Sequence, residues 1–231
     1  MKTYIGVDLG TSGVKVLAVD INGKILAEAT ESYPVSRPKE GWSEQNPEEW
    51  YAATLRALRR LNVKEAAGLS FGGQMHGLVI LDKDDNVIRP CILWNDGRSE
   101  SEAEYLNSLP VAEYTGNMAF AGFTAPKMLW LKNNEPQNFA RIAKIMLPKD
   151  YLVYRLCGAF STDFSDASGT LFLDVKNKCW SPQMLDICGI SAWQLPELHE
   201  SYDAVGTVKR EIAEQLGWGE VIVSAGAAGS I

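Results

Sequence analysis

Tyr4-Ile-Gly-Val-Asp-Leu-Gly-Thr-Ser-Gly-Val-Lys15 reads as an apolar strand that runs into an aspartate, a glycine-hydroxyl turn and a second strand. An apolar run ending in Asp8 suits a chemistry that holds Mg²⁺ near a triphosphate, because the carboxylate attracts the hydrated cation and a rigid strand fixes its position. Gly6, Gly10 and Gly13 keep side chains away, so the amides around Thr11 and Ser12 can approach phosphate oxygens. Lys15 adds a cation on the second strand. The plainer alternative is a β-hairpin whose turn needs glycines and nothing more, since short motifs match by chance.

Working outward, Val14 to Ile21 predicts the second strand. Asn22-Gly23 signals a type I′ turn, and the alternation from Ile25 to Thr30 predicts a third strand. The beginning is therefore a three-stranded antiparallel meander. Asn46-Pro-Glu-Glu49 opens a helix with a cap, a proline at N1 and a glutamate at N3, and Tyr51, Leu55, Leu58 and Leu61 give its apolar stripe. Strands follow at Val63 to Ser70, Leu78 to Leu81 and Val87 to Trp94, then a polar helix from about Gly97 to Asn107. Further helices begin at Thr124, Glu135, Leu147, Pro182 and Lys209, with Asp163 to Gly169 as a loop and Glu220 to Ser224 as a last strand. This alternation is α/β, without an internal repeat or linker to mark a boundary, so residues 1–231 read as one domain.

Composition bounds the function. A chain of 231 residues, 46% hydrophobic, can bury a large core. A net charge of -7 argues against a nucleic-acid surface and against an anionic membrane, so any phosphate site is local, built from amides and one or two cations. Cys91, Cys157, Cys179 and Cys188 have no CxxC spacing and read as reduced thiols. No stretch approaches the roughly 18 consecutive apolar residues of a membrane span, and Met1-Lys-Thr leads straight into a strand, so the expected location is cytoplasmic.

Two further loops carry polar groups at strand ends. Gly72-Gly-Gln-Met-His-Gly77 follows a strand, where open α/β sheets place ligands; Met75 and His76 are its candidates, against the alternative that a lone histidine is structural. Ile92-Leu-Trp-Asn-Asp-Gly-Arg98 offers Trp94 as an aromatic wall for a sugar's C–H face, with Asn95 and Asp96 as hydrogen-bond partners. Equally, Trp94 is core and Asp96 caps the following helix. Arg98 is expected in ion pairs on that helix surface, beside Glu100, Glu102 and Glu104. His199 takes the structural reading. Asp163, Ser165, Asp166 and Ser168 suit either a sugar-facing loop or an ordinary turn, and Lys149 and Asp150 populate the first turn of a helix with no chemistry assigned.

Together, Gly6-Val-Asp-Leu-Gly-Thr-Ser-Gly13, Trp42-Ser-Glu-Gln45, Gln74-Met-His-Gly77, Trp94-Asn-Asp-Gly-Arg98, Gly122-Phe-Thr-Ala-Pro-Lys127, Leu147-Pro-Lys-Asp-Tyr151 and Ser165-Asp-Ala-Ser-Gly169 resemble the FGGY carbohydrate kinases, and within that family the xylulokinase branch. The resemblance implies a ribonuclease-H-like (actin-like ATPase) domain with a mixed sheet and helical insertions. It also implies that this chain is the first, substrate-binding domain, with the ATP-binding second domain absent from it. By the same resemblance Asp8 holds Mg²⁺, while Gly10, Thr11, Ser12 and Lys15 lie at the phosphates of ATP. Met75, His76, Trp94 and Asp96 border D-xylulose, and a homodimer is the implied assembly. The family follows its last first-domain strand with a glycine run and an aspartate general base, whereas Gly229 and Ser230 stand where that aspartate and its neighbour fall. The expectation is a poorly active or inactive kinase half. Kinases of ribulose, gluconate or glycerol, a silent sugar-binding module and an actin-like ATPase unrelated to sugars are the alternatives.

Overall fold

In the computed structural model, which describes residues 2–229, period-two burial organises the opening strands. Ile5, Val7 and Leu9 of β1 (Tyr4–Leu9) are buried, as are Val14, Val16 and Ala18 of β2 (Gly13–Val19), while Gly6, Asp8 and Lys15 face the other side. β3 (Ile25–Ser32) completes the antiparallel meander. β4 (Gly68–Gly73) pairs parallel to β1, followed by β5 (Ala204–Thr207) and β6 (Ile222–Ser224), which give a six-stranded mixed sheet in the order β5-β6-β4-β1-β2-β3.

The buried face of this sheet is covered by α1 (Pro47–Arg60), the helix Pro148–Cys157 and the helix Arg210–Leu216. Pro47 takes the first position of α1, and Asn46 accepts a hydrogen bond from the Glu48 amide at 3.1 Å. Glu48 in turn accepts from Tyr151 Oη at 2.6 Å and pairs with Arg155, which fastens α1 to the helix Pro148–Cys157. A second apolar core, including Leu78, Ile80, Met128, Leu131, Phe172 and Met184, forms among the helical insertions. The helix Thr124–Asn134 is its main element, and a short antiparallel ladder pairs Val79–Leu81 with Lys144–Met146. Among the described residues no helix is long and apolar enough to cross a membrane.

Four local expectations are corrected. At Asn22-Gly23 only the glycine has positive φ, 80°, so the turn is not type I′; Asp20 organises it by accepting from the Asn22 and Lys24 amides at 2.9 and 3.0 Å. The strand placed at Val63 to Ser70 begins at Gly68, because its ladder is as long as β1 and pairs Tyr4 with Gly68 through Leu9 with Gly73. Val87 to Trp94 is not one strand: it bends at Arg89 and turns at Trp94, Val87 makes a single bridge to Leu81, and only Cys91–Ile92 forms a ladder, against Glu44–Gln45. Asp163 to Gly169 is not a loop: Phe164–Ser168 is a helical turn capped by Asp163, which accepts from the Ser165 amide at 2.9 Å.

Candidate functional site

The carboxyl ends of β1 and β4 open into a cavity of about 330 Å³. Asp8, Gly10 and Thr11 come to it from the first hairpin and Gly73, Gln74, Met75 and His76 from the segment after β4, with Trp94 and Gly229 closing the wall. Residues more than 80 positions apart in sequence meet directly: Trp94 Nε1 donates to Thr11 Oγ1 at 3.1 Å. Gly10 N donates to Gly13 O at 3.0 Å and closes the turn around Thr11 and Ser12. Ser12 is exposed on that turn and does not line the cavity. Lys15 lies opposite Asp8 in the ladder, and its ammonium pairs with Glu28 at 3.1 Å. Both partners are about half exposed, so the pair holds Lys15 only weakly.

His76 is held from three sides. Its backbone takes φ of 64°, an unusual value for a side chain of this size, and its carbonyl accepts from Lys127 Nζ at 2.9 Å and Thr124 Oγ1 at 3.1 Å. The ring lies 4.5 Å from the Phe123 ring, and Gly169 leaves room for it, since a Cβ there would stand 2.3 Å from the imidazole. Burial, and then the Lys127 charge, push its pKa down to about 4. The imidazole is therefore neutral near pH 7, a hydrogen-bonding group rather than a cation. Lys127 itself is buried, and burial lowers its pKa to about 7.

Asp96 does not line the cavity. It is buried and bound by Arg98, whose Nε and Nη2 donate at 2.8 and 2.7 Å, and by the Ser43 amide at 2.5 Å. Burial disfavours its charge, yet Arg98 and the Ser43 amide hold its pKa below the usual value. Arg98 is accordingly not on a helix surface: its side chain is 1% exposed, its guanidinium stacks 3.7 Å over Trp42, and it pairs with Glu44 at 2.7 Å. A planar fork that meets two carboxylates and an indole face finds its partners inside the protein, which the nearby glutamates in sequence do not reveal. Through this staple Asp96 braces the Trp94 loop.

Beneath the run after β6, Lys149 and Asp150, to which the sequence assigned no chemistry, join Asp163 and Asp166 of the segment read as a sugar-facing loop or a turn. Lys149 is fully buried, with Asp150 at 2.6 Å, Asp163 at 3.0 Å and Asp166 at 3.8 Å. Burial alone lowers a lysine pKa, but the three carboxylates outweigh it and keep Lys149 charged. Burial raises Asp166 to about 7. Ser165 Oγ donates to Asp163 and accepts from the Ala228 amide at 3.1 Å, so the cluster supports the cavity wall. The available signal was a Lys-Asp pair flanked by Leu147, Tyr151 and Leu152, an apolar setting in which charges need partners.

Gly229 N donates to Gly73 O at 3.0 Å, and a Cβ at 229 would lie 2.3 Å from that oxygen. The wall at this point is bare backbone; Ser230 lies outside the described residues. The donor set suits an ion that arrives with a nucleotide: among the described residues Asp8 is the one side-chain carboxylate lining the cavity, and Mg²⁺ is commonly bound by one or two carboxylates plus substrate phosphates. Among the described residues no group of three or more His, Cys, Asp or Glu side chains forms a resident metal centre.

Residues 3–230 match the model of the FGGY family of carbohydrate kinases, N-terminal domain. A xylulose kinase of Escherichia coli strain K12 is 46% identical over 229 residues, covering 96% of this chain and 47% of that protein. A crystal structure of a xyloylose kinase from Brucella ovis superposes with a TM-score of 0.96 at 43% identity, over 98% of this chain and 48% of that one. A gluconate kinase from Lactobacillus acidophilus superposes with a TM-score of 0.93 at 30% identity, over 98% and 48%. The chain thus spans about half the length of the relatives it matches.

Proposed function

The chain belongs to the FGGY family of carbohydrate kinases as its N-terminal domain, and from that premise we propose that it is the sugar-binding half of an ATP-dependent D-xylulose kinase, which transfers the γ-phosphoryl group to the sugar 5-hydroxyl. The observation that carries the reading is one cavity shared by Asp8 and Thr11 on one side and by Met75, His76 and Trp94 on the other. Phosphoryl transfer needs alignment and charge neutralisation more than covalent help from the protein. ATP supplies the phosphoryl group, and Mg²⁺ neutralises its charge. Asp8 holds that ion, the turn at Gly10, Thr11 and Ser12 faces the phosphates, and Lys15 contributes a cation beside them. Trp94 covers the C–H face of the sugar, Met75 packs against it, and neutral His76 hydrogen-bonds a hydroxyl. Asp96 acts through Arg98 on the Trp94 loop.

In this reading the adenosine pocket belongs to the other half of the relatives' length, the protein is cytoplasmic, and a homodimer is the assembly. The aspartate base of the family has no counterpart at Gly229. A positioned general base contributes ~10²–10⁴-fold, so turnover by this chain is expected to be poor. A second reading, a kinase of another polyol or sugar acid, draws on the gluconate kinase among the structural relatives. Thermal shifts with D-xylulose, D-ribulose, gluconate and glycerol separate the two, because only a ligand of the native state raises stability, by ~2.7 kcal/mol at 100 Kd. The expected result is the largest shift with D-xylulose; a shift with gluconate and none with D-xylulose favours the second reading.

A further inference from the structure

Gln45 is 2% exposed, and its carboxamide joins four parts of the molecule. Its Nε2 donates to the Thr11 carbonyl at 2.7 Å and to the Pro34 carbonyl at 3.2 Å. Its Oε1 accepts from Trp50 Nε1 at 3.0 Å and from Gln74 Nε2 at 2.9 Å. Chemistry dictates this orientation: an indole N–H only donates, and backbone carbonyls only accept, so a flipped amide would face three mismatched partners, and Gln74 turns its own Nε2 to suit. Both lone pairs and both protons of the carboxamide are used. The residue sits on the short ladder Glu44–Gln45 against Cys91–Ile92, and Trp50 is a fully buried residue of α1, so the anchor is rigid. Thr11 and Gln74 both line the cavity, one on the phosphate turn and the other on the loop that carries Met75 and His76.

We propose that Gln45 is a positioning residue that fixes the phosphate turn and the sugar loop relative to each other through one saturated carboxamide, so that the two sides of the cavity act as a unit. Which ligand each side takes rests on the proposed kinase reading; the coupling itself does not. Trp94 extends the device, since its indole N–H donates to the same Thr11 whose carbonyl Gln45 grips.

Two variants separate the arms. Gln45→Glu keeps acceptors for Trp50 and Gln74 and replaces the donor toward Thr11 and Pro34 with an oxygen, and Gln74→Met removes only the sugar-loop arm. Backbone and indole ¹H–¹⁵N spectra of the whole chain are recorded for both variants, and D-xylulose is titrated calorimetrically into each and into the double variant. Gln45→Glu is expected to move the Thr11 amide and Trp94 indole resonances, leave second-core resonances such as Leu185 in place, and weaken sugar binding about tenfold. Gln74→Met is expected to move the Thr11 resonance across the relay, and the double variant to bind no worse than the weaker single variant. Unmoved Thr11 and Trp94 resonances in a folded Gln45→Glu protein overturn the proposal, as do losses that multiply in the double variant. Should Gln45→Glu not fold, an unmoved Thr11 resonance in Gln74→Met overturns it instead. Absence of D-xylulose binding in the unaltered chain counts against the kinase reading, and the Thr11 and Trp94 resonances then decide the role of Gln45 alone.

Discussion

Two titratable residues, half-buried His76 and buried Asp166, give the protein opposite pH responses. His76 has a folded pKa of about 4 against an ordinary 6.5, so below pH 6.5 the unfolded chain takes up a proton that the folded chain refuses, and stability falls as pH drops toward 4. Asp166 has a folded pKa of about 7 against 3.8, so the folded chain holds the extra proton, and stability falls as pH rises from about 4 through 7. Thermal melts across pH 4 to 8 are expected to show His76→Gln flattening the acid side and Asp166→Asn gaining on the unaltered protein toward pH 8. Gly229 calls for a different test. Gly229→Asp supplies a carboxylate where the proposed function lacks a general base, and it puts a Cβ against Gly73 O, at 2.3 Å in the present backbone. The substitution is expected to lower the melting temperature and to leave D-xylulose phosphorylation unrestored, as read by coupled-enzyme assay. Asp8 and His76 were legible as candidates, and both line the cavity, because one lies near the end of an apolar strand and the other in the glycine-flanked loop that follows one. Asp96 was read as a sugar partner or a helix cap; its pairing with Arg98 was not legible, since the guanidinium that occupies it also depends on Trp42 and Glu44, which are brought together by folding.

Among the elements, the meander and the start of α1 were readable because alternation and the Asn46-Pro47 cap are local properties, whereas the buried face of α1 is centred on Trp50, Ala53, Ala57 and Leu58, with Tyr51 and Leu55 of the expected stripe only half-buried. The start of β4 was not, because its limits are set by the length of β1 and not by its own residues. The helix Pro148–Cys157 was placed correctly and its meaning missed: Lys149 lies in its first turn and neutralises Asp150 of the same turn together with Asp163 and Asp166 of the capped turn that follows in the chain. Lys149→Met leaves Asp150, Asp163 and Asp166 without a counter-charge. Breaking such a buried pair costs ~3–5 kcal/mol, and denaturant melts are the check. Lys149→Arg keeps the charge in a larger head group and is expected to lose less.

At the level of the whole molecule, a six-stranded sheet and a separate helical core converge on one cavity, and the loop from Gly73 to Leu78 runs from the first to the second. In the proposed reading, the turn on the sheet side faces phosphate and the walls toward the insertions face the sugar. With the adenosine pocket assigned to the other half of the relatives' length, this chain is expected to hold the sugar better than the nucleotide. Calorimetric titration of the chain with D-xylulose and, separately, with Mg-ATP tests this most directly. The account predicts saturable one-to-one binding of D-xylulose that is lost in His76→Ala, together with weak Mg-ATP binding. Micromolar binding of Mg-ATP with no measurable binding of D-xylulose would contradict it.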